Sequence, residues 1–192
     1  VGFASFVGGT GRDVVTAVAF DGDGNVILAG ETSSADFPVV QAAQSTRRGP
    51  TDAFVMKVKP DGLRVVHATY IGGSADDRAS GVAVDPAGNI YVTGVTTSLD
   101  FPVTPDAFDL ENGRFPVCQG GDCIDSFVVK IPAEGGSFEY ATYLGGEHDD
   151  YAAGIAVDAS GNAFVTGSTN SFGIPRDNAF EPDKKQGSEG FI

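Results

Sequence analysis

Three copies of one long pattern constrain this chain more than any single residue does. The middle copy, Tyr70 to Pro102, reads YIGGSADDRASGVAVDPAGNIYVTGVTTSLDFP; an earlier copy starts at Phe6 and a later one at Tyr143. Repetition at this period sets the architecture before any local reading begins. The copies keep strict register. The second Gly of the GG pair stands 28 residues before the apolar residue that precedes Pro in all three: Gly9 to Phe37, Gly73 to Phe101 and Gly146 to Ile174. The acid that opens the next motif (Asp52 in DAFVMK, Asp125 in DSFVVK) stands 21 residues before the following second Gly both times. Between these anchors the chain takes 15 residues from Phe37 to Asp52, 24 from Phe101 to Asp125, and 15 again from Ile174 to Glu189. Length variation is confined to one loop, and the nine extra residues of copy two carry both cysteines.

Each copy reads as four short strands. GVAVD (Gly81–Asp85) alternates small and branched residues, as a tightly packed strand does. The turn DPAGN (Asp85–Asn89), with sisters DGDGN and DASGN, has Asp first and Gly fourth, the pattern of a type I turn closed by a left-handed Gly. NIYVTG follows at once and completes a hairpin signature given three times. The third strand is Asp52–Val58 or Asp125–Ile131, and the fourth is Val65–Gly73 or Phe138–Gly146. No segment has the period of an amphipathic helix; VVQAAQ (Val39–Gln44) has room for one turn. Four antiparallel strands per copy with no helix between copies specify an all-β fold, a partial β-propeller of about three four-stranded blades. A β-solenoid is the alternative, but its coils are shorter and lack such hairpins. The expected organisation is one partial propeller domain over residues 1–192. Residues 1–9 read as the outer strand of a preceding or closing blade, 13–73 and 77–146 as complete blades, and 150–192 as an incomplete one. Such an arc exposes strand edges and apolar end faces. The rest of a larger propeller chain, or further copies of this one, is therefore expected to complete the ring, and the stop at Ile192 inside a strand favours the longer chain.

The pattern YxGGxxDDxxxGxAVDxxGNxYVTGxTxSxDFP resembles the bacterial seven-bladed β-propeller repeat family, the SBBP repeats. The resemblance covers nearly the whole chain. It departs at Arg12, which replaces the first Asp of the DD pair in copy one, and at NSFGIP, which replaces SxDFP in copy three. It implies a propeller and an extracellular, cell-surface or periplasmic setting in a bacterium. It brings no shared catalytic motif. In that setting Cys118 and Cys123 of CQGGDC read as a local disulfide; a redox C-x-x-C is excluded by spacing, and zinc needs two further ligands.

Charge narrows the partners. Twenty-six acids against 12 bases give a formal net charge of −14. That balance argues against nucleic acid and anionic membrane surfaces, which both need basic patches. No apolar stretch is long enough to span a bilayer. Val1 stands inside a copy, so any targeting segment lies outside these residues.

Candidate sites fall in the loops. Asp21, Asp23 and Asn25 of DGDGN match the start of a calcium loop, but position twelve is Thr32 rather than the bidentate acid such loops need. A hairpin turn is the simpler reading, so no cofactor is expected, and calcium at these residues is the alternative. Asp76 and Asp77, Asp149 and Asp150, and Asp13 sit in the loops entering the first strands. A ring of these carboxylates could bind a cation or a basic partner, or the side chains could fix their own turns. Repetition favours the second, because a catalytic site is normally unique. The long loop of copy two adds Asp109 and Phe115, unique candidates for partner contact. The Phe of each DFP is expected to plug its blade. His67 aligns with Phe3 and Tyr140, which points to packing.

These readings favour a non-enzymatic surface module that presents long loops on one face to a protein or polysaccharide partner. The alternatives are a polysaccharide-active enzyme and a calcium-stabilised carbohydrate-binding propeller. Cys118 and Cys123 are expected to be bonded. Mass spectrometry without reductant checks this: two alkylatable thiols under oxidising conditions refute the bridge, which closes a short loop and contributes on the order of 2 kcal/mol.

Overall fold

The computed structural model describes residues 4–112, 124–174 and 187–192. Among the described residues, eleven strands form three antiparallel meanders. Blade one is β1 (Asp13–Phe20), β2 (Val26–Thr32), β3 (Asp52–Val58) and β4 (Val65–Ile71). Blade two is β5 (Asp77–Val84), β6 (Ile90–Thr96), β7 (Asp125–Ile131) and β8 (Tyr140–Leu144). Blade three has β9 (Asp150–Val157), β10 (Ala163–Thr169) and β11 (Glu189–Phe191). No helix occurs among the described residues. The chain is a partial β-propeller, as the repeats require.

The hairpin turns follow the expected chemistry. Gly24, Gly88 and Gly161 take φ of 77°, 87° and 84°, the left-handed region where a side chain is disfavoured. The leading Asp holds each turn: Asp85 Oδ1 accepts the N–H groups of Ala87 and Asn89, both at 2.9 Å, and Asn89 Nδ2 donates to Oδ2 at 2.8 Å. Asp21 and Asp158 do the same in their turns.

Two expectations need correction. The first strands begin at Asp13, Asp77 and Asp150, four residues before the start expected from GVAVD. A one-residue bulge at Thr16, Ser80 and Ala153 resets the alternation there, so the period of two is readable only beyond it. VVQAAQ makes no helical turn; it runs beside β4, with Val40 and Ala68 exchanging backbone hydrogen bonds of 3.0 and 2.8 Å. Residues 4–9 carry no strand in this chain, and among the described residues no further blade lies beside them to test the expected outer-strand role.

The bulge also explains the Gly of LAG and VTG. A Cβ on Gly30, Gly94 or Gly167 would run into the carbonyl of Val14, Arg78 or Tyr151 on the bulged strand. The bulged hydroxyls reach across blades: Thr16 Oγ1 donates to Ala79 O at 2.7 Å, and Ser80 Oγ to Ala152 O at 2.6 Å.

The main core is the junction itself. Ile27, Ala29, Val55 and Ile71 of blade one meet Val92, Phe127, Val129 and Ile131 of blade two, all fully buried. The DFP phenylalanine of copy two, Phe101, closes its upper end. Phe101 is 3% exposed and lies 4.8 Å from Phe127 and 5.7 Å from Tyr143, centre to centre. Its N–H donates to Tyr143 Oη at 3.1 Å, and that hydroxyl donates to Ser98 O at 2.7 Å. Phe37, Phe54, Tyr70 and Ser34 repeat the unit in blade one.

Tyr143→Phe leaves the Phe101 N–H and the Ser98 carbonyl buried without that hydroxyl. The expected loss is about 1–3 kcal/mol. Phe101→Ala, which empties a packed site, should lose about 3–5 kcal/mol. Denaturant midpoints check both, and equal losses count against the packing assigned to Phe101.

Candidate functional site

Strand direction sorts the loops onto two faces. The 1–2 hairpin turns and the 3–4 turns lie on one, here the turn face. The GG–Asp loops between blades and the long 2–3 loops share the other, the loop face. Asp21, Asp23 and Asn25 therefore lie on the opposite side of the sheets from the other candidates. Asp21 is heavily committed: besides its turn bonds, Oδ2 lies 2.8 Å from the buried Lys57 Nζ. Burial pushes its pKa up, but hydrogen bonds from Asn25 and Lys57 outweigh that and hold it at about 2.

On the loop face, one unit recurs at each blade entry. Asp77 is fully buried and its Oδ2 accepts Gly73 N–H at 2.8 Å and Ser98 Oγ–H at 2.9 Å. Asp150 binds Gly146 N–H at 2.8 Å and Ser171 Oγ–H at 2.7 Å. Asp13 takes Gly9 N–H, Ser34 Oγ–H and Thr32 Oγ1–H. These carboxylates tie the GG pair to the SxDFP loop; Asp77 and Asp150 are fully buried, and Asp13, at the open edge, is half-buried. Asp76 and Asp149 stay partly exposed. Asp76 Oδ2 lies 3.4 Å from Arg78 Nη2, whose Nε reaches Glu31 of blade one at 2.8 Å. Asp149 Oδ1 accepts Ile124 N–H at 3.1 Å.

A second tie crosses the same loops. Asp36 Oδ1 accepts the Thr10 N–H at 2.8 Å, and Asp100 Oδ1 accepts the Ser74 N–H at 2.7 Å. Copy three has Gly173 in place of that Asp, and the carboxylate comes from the other loop: Glu147 accepts Phe172 N–H at 2.9 Å and Gly173 N–H at 3.0 Å. The departure NSFGIP is thus compensated by GGEH. The signal was present, since Glu147 stands where Thr10 and Ser74 stand.

Asp109 lies in the long loop of blade two, half-buried. Its N–H donates to Thr142 Oγ1 at 2.8 Å, and its Oδ1 accepts Glu111 N–H at 3.1 Å. Phe115, Cys118 and Cys123 lie outside the described residues. His148 belongs to the blade-three entry loop, its N–H donating to Ser171 Oγ at 2.9 Å. His67 is fully buried against Gly135 of blade two; burial and, next, Lys57 lower its pKa to about 4.

The loop face also exposes large apolar side chains. Leu99 and Phe172, at the position of Ala35 in copy one, are 50% and 52% exposed; Phe108 and Leu110 are 66% and 53%. Only their place in non-repeated loop positions marks them in the sequence. Among the described residues, no three His, Cys, Asp or Glu side chains converge to hold a metal.

Residues 68–102 and 139–174 match the SBBP beta-propeller repeat. Comparison with curated proteins gave no match.

The cross-loop tie is directly testable. In Asp100→Ala the Ser74 amide should exchange with solvent faster, while the Gly73 amide, held by Asp77, should keep its protection. Amide hydrogen exchange reads both positions, and unchanged exchange at Ser74 refutes the tie.

Proposed function

We propose that this chain, a partial β-propeller built from SBBP repeats, is a non-enzymatic interaction module of the bacterial cell exterior. Its loop face receives a protein partner with an apolar contact surface and a basic rim. The observation that carries this reading is the division of labour on that face. The repeated carboxylates are consumed in holding loops, whereas the non-repeated Leu99, Phe108, Leu110 and Phe172 are exposed. Exposed apolar side chains rimmed by charge are the usual signature of a contact surface. The rim includes Asp76, Asp106, Glu111 and Asp149, and the net charge of −14 favours a basic partner.

The same reading requires further blades. Val18 and Phe20 are 56% and 65% exposed on blade one, while their sisters Val82 and Val84 pack into the junction core. Phe164 on blade three is 48% exposed, while its sisters Ile27 and Tyr91 are buried. These end faces match the faces that already meet inside the chain. Repeats of the same kind cover them, from a longer chain or from further copies.

A photo-crosslinking side chain at Leu99, with one at Leu63 on the turn face as control, tests the loop face on cells that produce the protein. The reading expects a protein adduct from Leu99 and none from Leu63, with Phe108→Asp weakening capture by about tenfold or more. Equal adducts from both faces sink it. Polysaccharide in place of protein, or release of new reducing ends from polysaccharide, favours the carbohydrate-binding or enzymatic reading instead.

A further inference from the structure

Each described junction between blades contains a second acid beside the first. Asp52 opens β3 of blade one and Asp77 opens β5 of blade two; both are fully buried. Gly72 separates them. A Cβ there would collide with the Asp77 carboxyl and lie 3.0 Å from Asp52 Cγ. The next junction repeats this, with a Cβ on Gly145 lying 2.6 Å from Asp125 Oδ1 and 3.0 Å from Asp150 Oδ2. At the open edge the three atoms nearest a Cβ on Gly8 all belong to Asp13. The paired acids therefore occur where two blades meet.

We propose that the blade junction is a proton-dependent clasp, in which Asp52 and Asp77 converge on Gly72 and hold one proton between them, so that the blades pack more firmly while it is bound. Two ionised carboxylates buried on either side of one glycine repel one another, and the protonated form relieves both the repulsion and the burial of charge. Asp52 is the better-supplied member. It accepts N–H bonds from Arg48 at 3.0 Å, Gly49 at 2.8 Å and Gln44 Nε2 at 2.8 Å, with the Arg47 guanidinium nearby. Asp77 is the member that takes the proton. Tyr143 and Asp100 also face the site from blade two, and Tyr70 from blade one. Arg78, the cation nearest in sequence, is drawn off by Glu31 and Asp76.

The charge balance agrees. Burial raises the Asp77 carboxyl to about 7 and Asp52 adds to the rise, against hydrogen bonds from Thr96, Gly73 and Ser98. Folding then takes up a proton. The stabilisation is complete below the unfolded value of 3.8 and is lost as pH rises through about 7. His67 acts in the opposite sense over part of this window. Its lowered value favours the folded state above 6.5, and that contribution is lost as pH falls through about 4. The informative quantity is therefore the difference between the wild type and Asp77→Asn, which mimics the protonated acid.

Carbon-13 NMR of the full chain follows the Asp77 carboxyl, and denaturant unfolding follows stability. The proposal expects Asp77 to titrate near 7, and the folding equilibrium constant of the wild type to fall relative to Asp77→Asn by about tenfold or more between about pH 4 and pH 7. Titration of Asp77 near its unfolded value overturns it, as does a wild-type to variant difference that does not change with pH. If Asp77→Asn does not fold, the NMR titration of the wild type decides alone. Calcium chloride is the control at about pH 8. Calcium that restores wild-type stability there, and leaves Asp77→Asn unmoved, overturns the proton in favour of a cation.

Discussion

A four-stranded meander has two faces and no interior, so a blade of this protein acquires a core only by lying against another blade. β5 packs across β1, β2 and β3 of the blade before it, and β9 across β5, β6 and β7. Everything else serves that contact. The small residues of the first strands bring the sheets close, the bulge turns a hydroxyl toward the neighbouring blade, and the DFP aromatic seals the upper end of the junction. A 192-residue chain can bury enough apolar surface this way to hold its strands without helices.

Polar groups at the junction follow from the same constraint. A loop that passes between two dry sheets brings backbone N–H groups that need acceptors. Asp77 and Asp150 supply them from within the first strand, and Asp36 and Asp100 from the loop across. Glu147 shows that the acceptor, and not the residue position, is what the fold requires: the carboxylate changed loops and the connection survived.

Much of the fold was legible because it repeats. Strand order, the Asp–Gly–Asn turns and the role of Phe37 and Phe101 were readable by comparing the copies. The true start of the first strands was not, because the bulge at Thr16 and Ser80 interrupts the alternation that marks a strand. The leading segment resembles β4 in sequence, but an outer strand needs the rest of its blade, which lies outside the described residues. The site was less legible for the opposite reason. Repetition singles out Asp77 and Asp150, which are buried, while Leu99, Phe108 and Phe172 carry no motif and become visible only once the loops are placed on one face. The pairing of Asp52 with Asp77 joins residues of adjacent blades, and no spacing rule within one copy connects them.

The bulged hydroxyl has a mechanical consequence. Thr16 and Ser80 each anchor their blade to the next, but the third blade has Ala153 at that position. Whatever sheet lies beyond it is gripped without that bond. In a ring of such blades, the seam beyond Ala153 would lack a bond that the two described seams have, and under a pull from outside it would yield before them. The two described seams would remain shut after it has opened, and the fragment that travels together under load is the one bounded by β1 and β11.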